Sequence, residues 1–274
     1  MLNIDFIKKL EKPTLYIALI SFIGHIFLYY CRDFVPLFAQ IIPDNYLTAI
    51  YTPFSFIIFY EILELVSTLP KSMTTFFGKQ LEIISLIFIR DVFKGIANLK
   101  GHEFDANQET IIGILIGTLT GVILFVIASQ FKRLALSKKK LSFSEIKKFI
   151  KIKEGISFFL IIGILIISGI DLSHWIYNLI IEINAGNNYH VPIHLIPLDK
   201  VFELLILVDV SILIISLFFS QNYAVVARNS LFIISTIFLR YSLSMSVPYN
   251  GIFAIIAGFL GITSLYIFVK YKQI

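Results

Sequence analysis

The chain has 274 residues, of which 57% are hydrophobic and 15% aromatic, and its formal net charge is +5. A mean hydropathy of +0.86 is more than a soluble core of this size can hide. The composition therefore excludes a soluble globular protein and predicts an integral membrane protein. The single cysteine, Cys31, excludes an internal disulfide and a cysteine-based metal cage.

Eight apolar stretches are long enough to cross about 30 Å of hydrocarbon as helices of about 17 to 25 residues. Their unbroken Ile, Leu and Phe runs favour helices over barrel strands, which alternate polar and apolar residues. The sequence therefore predicts an all-α, polytopic membrane protein with eight transmembrane helices, near residues 14–31, 46–69, 78–97, 109–131, 155–177, 200–220, 227–246 and 250–270.

Lysine and arginine residues predict the orientation, because they bias the segments that carry them toward the cytoplasm. Most of the 23 Lys and Arg residues fall in alternate segments, whereas the opposite loops hold only Arg32, Lys100 and Lys200. This pattern predicts a multi-pass protein of the cell inner (plasma) membrane with both termini in the cytoplasm. Such a topology requires an even number of helices.

An internal repeat lies within the apolar sequence. Residues 81–90 (LEIISLIFIR) return 150 positions later at 231–240 (LFIISTIFLR). The matched polar positions are Ser85 with Ser235 and Arg90 with Arg240. Since each unit has an even number of helices, the two copies are expected in parallel orientation. The sequence predicts a first four-helix unit at 1–133 and a second at 155–274.

A basic cytoplasmic linker at 134–154 joins the two units. Ser142 and Glu145 form the capping-box pattern of a short amphipathic helix. One interpretation is attachment to membrane lipids, anionic ones in particular, through Lys138, Lys139, Lys140, Lys147, Lys148 and Lys151. The other is that the charge serves only as a topology signal. No nucleic-acid motif accompanies the charge, so no nucleic-acid partner is expected.

Small residues in the fourth predicted helix form a ridge. Gly113, Gly117 and Gly121 are spaced by four, which places them on one helix face, and Ala257 and Gly261 are matched to the last two of them in the eighth helix. Such spacing is typical of close helix packing within or between chains, and it predicts a homo-oligomer. A hinge or a pore lining is the alternative.

Charged residues inside the predicted helices need a reason, because each costs about 3 kcal/mol or more at mid-membrane unless it is paired or hydrated. The first half contains Glu61, Glu64, Arg90, Asp91 and Lys94, and the second contains Asp209 and Arg240. Depths from the helical rise, together with the lean of side chains toward their helix N-terminus, predict two pairs. These pairs are Glu61 with Arg90 and Asp209 with Arg240.

Two functions are compatible with such pairs. They can line a small ion or proton pathway, or a field-responsive membrane element. Alternatively they are structural clamps in a non-conducting membrane interaction or assembly module. The surplus charge of the first half exceeds what a minimal clamp needs, and it favours the first interpretation.

Enzymatic activity is not expected, because the sequence contains no phosphate-binding glycine loop, nucleophile elbow or zinc-protease motif. His190 and His194 are four apart, but Pro192 between them argues against a helical metal site. The sequence therefore predicts no cofactor and no metal.

The first half carries Tyr60-Glu61 in its second predicted helix, Arg90-Asp91 in its third and Phe131-Lys-Arg133 at the end of its fourth. In the order of its helices and in these residues, each half resembles the phosphate-starvation-inducible E (PsiE) type of bacterial four-helix membrane protein. The resemblance covers about 14–133 and, more weakly, 155–272. There Asp209 and Arg240-Tyr241 stand in for these residues.

The family has one unit per chain, so the tandem form departs from it. The resemblance implies a bacterial inner-membrane location and no established transport activity. Each half is also similar to a voltage-sensor unit, although a sensor carries several arginines at every third position and each half here has one.

Overall fold

A computed structural model of the protein describes residues 7, 9–32, 34, 42, 45–97, 99, 108–136, 146–185, 198–219 and 223–271. These residues form eight α-helices and one short 3₁₀-helix, with no strand among them. The helices are α1 (Glu11–Cys31), α2 (Tyr51–Thr68), α3 (Met73–Ala97), α4 (Gln108–Leu136), α5 (Ile146–Asn184), α6 (Leu198–Phe219), α7 (Tyr223–Ser242) and α8 (Tyr249–Tyr271), and the 3₁₀-helix Tyr46–Ile50 precedes α2. The all-helical prediction is confirmed.

Six of these helices are long and apolar enough to cross a membrane, namely α1, α2 with its 3₁₀ turn, α4, α5, α7 and α8. Large apolar side chains are exposed along α1, α4, α5 and α8, as a lipid-facing surface requires. The protein is therefore membrane-like in fold. The crossing of the membrane by α3 and α6 stays a prediction, and these two helices carry Lys79, Arg90 and Asp209.

Helix α3 begins five residues earlier than the sequence pattern suggests. Pro70 lies in the turn after α2, and the hydroxyl of Ser72 accepts a hydrogen bond from the backbone N–H of Thr75 at 3.1 Å. Ser72 thus caps the N-terminus of α3. This cap places Lys79 well inside the helix.

Helix α5 is longer than predicted. The sequence pattern suggests a short amphipathic helix in the linker and a separate span at 155–177, whereas one continuous helix covers both from Ile146 to Asn184. Its first turns dock onto α2: the Lys153 ammonium donates to the Lys71 carbonyl at 2.7 Å, and the Ser157 hydroxyl donates to the Val66 carbonyl at 2.8 Å. One bond thus reaches the last turn of α2 and the other reaches the turn that follows it.

Each half of the chain packs in the same order, with α1 on α2, α2 on α3 and α3 on α4, and likewise α5 on α6, α6 on α7 and α7 on α8. Between the halves, α3 contacts α7 and α8, α4 contacts α8, and α2 contacts α5. Helix α3 therefore lies at the centre of the bundle, in contact with both halves.

The two serines of the repeat make the same kind of bond. The Ser85 hydroxyl of α3 donates to the Gly121 carbonyl of α4 at 2.8 Å, and the Ser235 hydroxyl of α7 donates to the Ala257 carbonyl of α8. Both acceptors are small residues, which let the paired helices approach closely enough for a hydroxyl to reach backbone. By this bond Gly121, not Gly117, corresponds to Ala257.

The glycine ridge of α4 packs against other residues of the same chain. A Cβ added to Gly117 would lie 3.1 Å from Val92, and one added to Gly121 would lie 3.0 Å from Ile89, both on α3. A Cβ on Gly113 would lie 3.7 Å from Val247. The ridge therefore packs against other parts of the same chain. It is not free to form the contact between chains from which the homo-oligomer was predicted.

Three phenylalanines fill the core where the halves meet. The rings of Phe77 and Phe232 stack with centroids 5.0 Å apart and planes 5° apart, and the Phe131 ring lies 5.2 Å and 5.7 Å from them. All three side chains are buried. Gly261 of α8 makes room for this stack, because an added Cβ would collide with the Phe77 ring.

Gly261→Ala is expected to lower the stability of the protein by roughly 1 to 3 kcal/mol, because Phe77 is held by two neighbouring rings and has little room to move. Thermal unfolding in detergent measures the loss. Gly24→Ala is the matched control, since nothing lies within 4 Å of its added Cβ and alanine favours a helix by up to about 1 kcal/mol over glycine. Equal melting temperatures for the two variants would contradict the packing.

Candidate functional site

Three carboxylates surround one lysine between α2 and α3. The Lys79 ammonium lies 2.6 Å from a carboxylate oxygen of Glu61, 2.6 Å from one of Glu64 and 3.8 Å from one of Glu82. Glu61 and Glu64 are three apart, so they lie on one face of α2 and reach the same cation. We call these four residues the Lys79 cluster.

The Lys79 cluster extends to a third helix. Glu82 also pairs with Lys132 near the end of α4, so acidic and basic side chains alternate across α2, α3 and α4. The side chains of Glu61 and Lys79 are 18% and 16% exposed, whereas that of Lys132 is 53% exposed. The network therefore runs from a half-buried site to the surface.

A cavity of about 240 Å³ adjoins the cluster. It is bounded by α1, α2 and α3 and is lined by Glu11, Thr14, Leu15, Ile57, Tyr60, Glu61, Glu64 and Lys79. Three carboxylates and one ammonium line it, so its formal charge is negative. A space of this size has room for water, and its negative formal charge favours a cation over an anion.

The predicted Glu61–Arg90 pair is wrong. In the structure Glu61 binds Lys79, and the Arg90 guanidinium lies 4.9 Å from the Tyr51 ring and 3.4 Å from the Asp91 carboxylate. The reason is the early start of α3. At about 1.5 Å per residue, Glu61 lies about 10 Å from the end of α2 and Lys79 about 9 Å from the start of α3, while Arg90 lies about 26 Å from it.

Asp91 and Lys94 also differ from their expected role. Both side chains are exposed on the last turns of α3, near its far end, so they are not part of a buried surplus of charge. The first half buries Arg90, and it holds the partly buried Lys79 cluster, which contains Glu61 and Glu64 from the predicted set.

The structure brings Asp209 and Arg240 together. Arg240 Nη1 lies 2.9 Å from Asp209 Oδ2, with both side chains 2% exposed. In the first half, Lys79 offers Glu61 a nearer cation than Arg90. The repeat matches Lys79 to Asn229, which is neutral, so the second half offers its acid no cation at that position.

Gln80 and Thr236 complete this buried site, and the sequence pattern did not predict them. The Gln80 amide nitrogen lies 3.5 Å from Asp209 Oδ2, and the Thr236 hydroxyl donates to the Gln80 amide oxygen at 2.6 Å. Gln80 therefore links the two halves. The signal available in the sequence is that Thr236 replaces Leu86 in an otherwise apolar part of the repeat.

The structure describes the positions of three of the six lysines predicted to bind lipid. Lys138, Lys139 and Lys140 lie outside the described residues. Lys147 and Lys148 lie in the first turn of α5, and Lys151, one turn further, is exposed. Within the described part of the chain, no group of three or more His, Cys, Asp or Glu residues is arranged to hold a metal ion.

Asp209→Leu and Arg240→Met are each expected to destabilise the protein by about 3 to 5 kcal/mol, because each leaves a buried charge without its partner. The double variant should lose much less than the sum, as measured by thermal unfolding in detergent. Glu61→Gln with Arg90→Gln is the control cycle and should be additive within about 0.5 kcal/mol. Additivity in the first cycle would mean that the buried pair does not form.

No protein-family model, curated protein or solved structure matches this chain. The similarity to the PsiE type and to a voltage-sensor unit therefore stays a prediction.

Proposed function

We propose that the chain is an eight-span inner-membrane protein made of two parallel four-helix units, with both termini in the cytoplasm. The equal packing order of the halves supports the repeat, as does the contact of α3 with α7 and of α4 with α8, which are pairs of equivalent helices. An axis along the membrane normal that relates the halves would bring equivalent helices together in this way.

We further propose that the first unit conducts or binds a small cation or a proton. The observation that carries this proposal is the negatively charged cavity beside the Lys79 cluster. Ionisable groups are costly at membrane depth and mark ion pathways when they line a hydrated space. Glu61 and Glu64 are the residues that would bind the cation. The entering cation would repel the Lys79 ammonium, which has the same sign of charge, or displace it from the two carboxylates.

The second unit has a different part in this proposal. Asp209 and Arg240 neutralise each other, and their side chains are almost completely buried. A pair of this kind fixes the packing of α6 on α7 and offers no hydrated surface in the conformation seen here. The second unit is therefore proposed as the scaffold that supports the first.

A non-conducting interaction module is the second candidate function. The exposed Lys151 lies on the same helix as Lys153, which anchors α5 to the end of α2. A basic helix fixed in this manner presents its charge to anionic headgroups, each lysine near the surface contributing on the order of 1 kcal/mol.

Purified protein in liposomes is expected to pass protons or a small monovalent cation under an imposed membrane potential, as followed with ion-sensitive dyes. Glu61→Gln and Glu64→Gln should each reduce the flux at least about tenfold, equivalent to about 1.4 kcal/mol on the barrier. Asp171→Asn is the matched control, because it removes an acid paired with Lys200 at 3.0 Å, away from the cavity, and should leave the flux unchanged. Absence of flux at every voltage would reject the pathway and favour the interaction module.

A further inference from the structure

A dry junction lies at the centre of the bundle, where α2, α3, α6 and α7 meet. Its void has no room for a water molecule. The residues that line it are Leu65, Gln80, Ile83, Ile84, Phe202, Leu239 and Arg240. Five of these side chains are apolar, so the void is a narrow apolar space with an amide and a guanidinium in its wall.

The polar groups at this junction are not fully satisfied. Asp209 Oδ1 and Arg240 Nη2 have no hydrogen-bond partner among the residues that the structure describes. Water does not replace the missing partners, because Asp209 is only 1% exposed and Arg240 only 4% exposed. Gln80 is held tightly by Thr236 but lies 3.5 Å from Asp209. Proteins rarely leave buried polar atoms unpaired, and each such atom needs an explanation.

The junction and the negatively charged cavity lie on adjoining faces of the same two helices. Leu65 of the void follows Glu64 of the cavity on α2, and Gln80 of the void follows Lys79 of the cavity on α3. These two helices therefore border both a cavity with room for water and a void with none. An apolar constriction next to a hydrated cavity is the arrangement by which channels close through dewetting.

We propose that the junction is a closed gate, and that Gln80 is its latch. Opening would admit water from the cavity beside the Lys79 cluster. A buried water needs two to four polar partners. Gln80 and Arg240 in the wall of the void, together with Asp209, which lies against both, would supply them once the void widens. The unpaired atoms of the closed state thereby gain the partners that they lack. The proposal rests on the proposed ion pathway for what passes the gate, but the opening itself is measurable without any flux.

The experiment measures whether water reaches the void. Cys31→Ser removes the single cysteine, and Ile84→Cys or Leu239→Cys then places one thiol in the wall of the void. Leu124→Cys is the control, because Leu124 is completely buried in α4 and does not line the void. Modification by a charged, water-soluble methanethiosulfonate reagent in liposomes is followed by mass spectrometry of the intact chain.

A gate predicts that Ile84→Cys and Leu239→Cys react at least about tenfold faster than Leu124→Cys, because local opening exposes them while the rest of the core stays closed. Gln80→Asn, whose shorter amide cannot reach both Thr236 and Asp209, should accelerate the reaction further. Gln108→Asn shortens an exposed amide at the start of α4 and should leave the rate unchanged.

The outcomes separate the gate from the pathway. If both void positions react as slowly as Leu124→Cys, the junction is permanently dry and the gate is rejected. Two positions are used so that a variant that fails to fold does not decide the result. Reactive void positions without measurable flux would support the gate and reject the conducting function. Flux through a protein with an unreactive junction would support the pathway and reject this gate.

Discussion

The cost of burying charge away from water is the constraint on which the rest of this structure depends. Helix α3 carries Lys79 and Gln80 next to each other, and the two side chains point to different neighbours. Lys79 forms ion pairs with two glutamates of α2, whereas Gln80 lies beside the ion pair between α6 and α7. Because both polar sites share one helix, the position of α3 decides whether either site is satisfied.

The halves of the repeat agree in packing and differ in chemistry. Ser85 and Ser235 make equivalent bonds to the backbone of the following helix, which fixes how closely the two helices lie. The positions at which the repeat differs are the ones that give each half its own site. Glu82 extends the charge network of the first half, while its counterpart Phe232 stacks on Phe77 in the core.

This difference leaves the first half with a charged cavity and the second with a closely packed ion pair. Lys79 has the neutral Asn229 as its counterpart, and the neighbouring Arg228 binds the Asn229 amide oxygen and lies over the Phe268 ring. Asp209 binds Arg240 instead, in a fully buried contact. The cavity then remains on the side of the bundle that α1, α2 and α3 enclose.

The sequence by itself determined the membrane class, the helical architecture, the approximate helix positions and the identity of the costly charges, because these depend on composition and on local hydropathy. It also predicted the Asp209–Arg240 contact from depth and side-chain direction. The partner of Glu61 was decided by tertiary structure, since it depends on where α3 begins, and the Ser72 cap moved that start by five residues. Contacts between the halves, such as Gln80 with Asp209 and Lys153 with Lys71, join residues far apart in the chain. Local patterns carry no information on such distances, so only the packed bundle could reveal them.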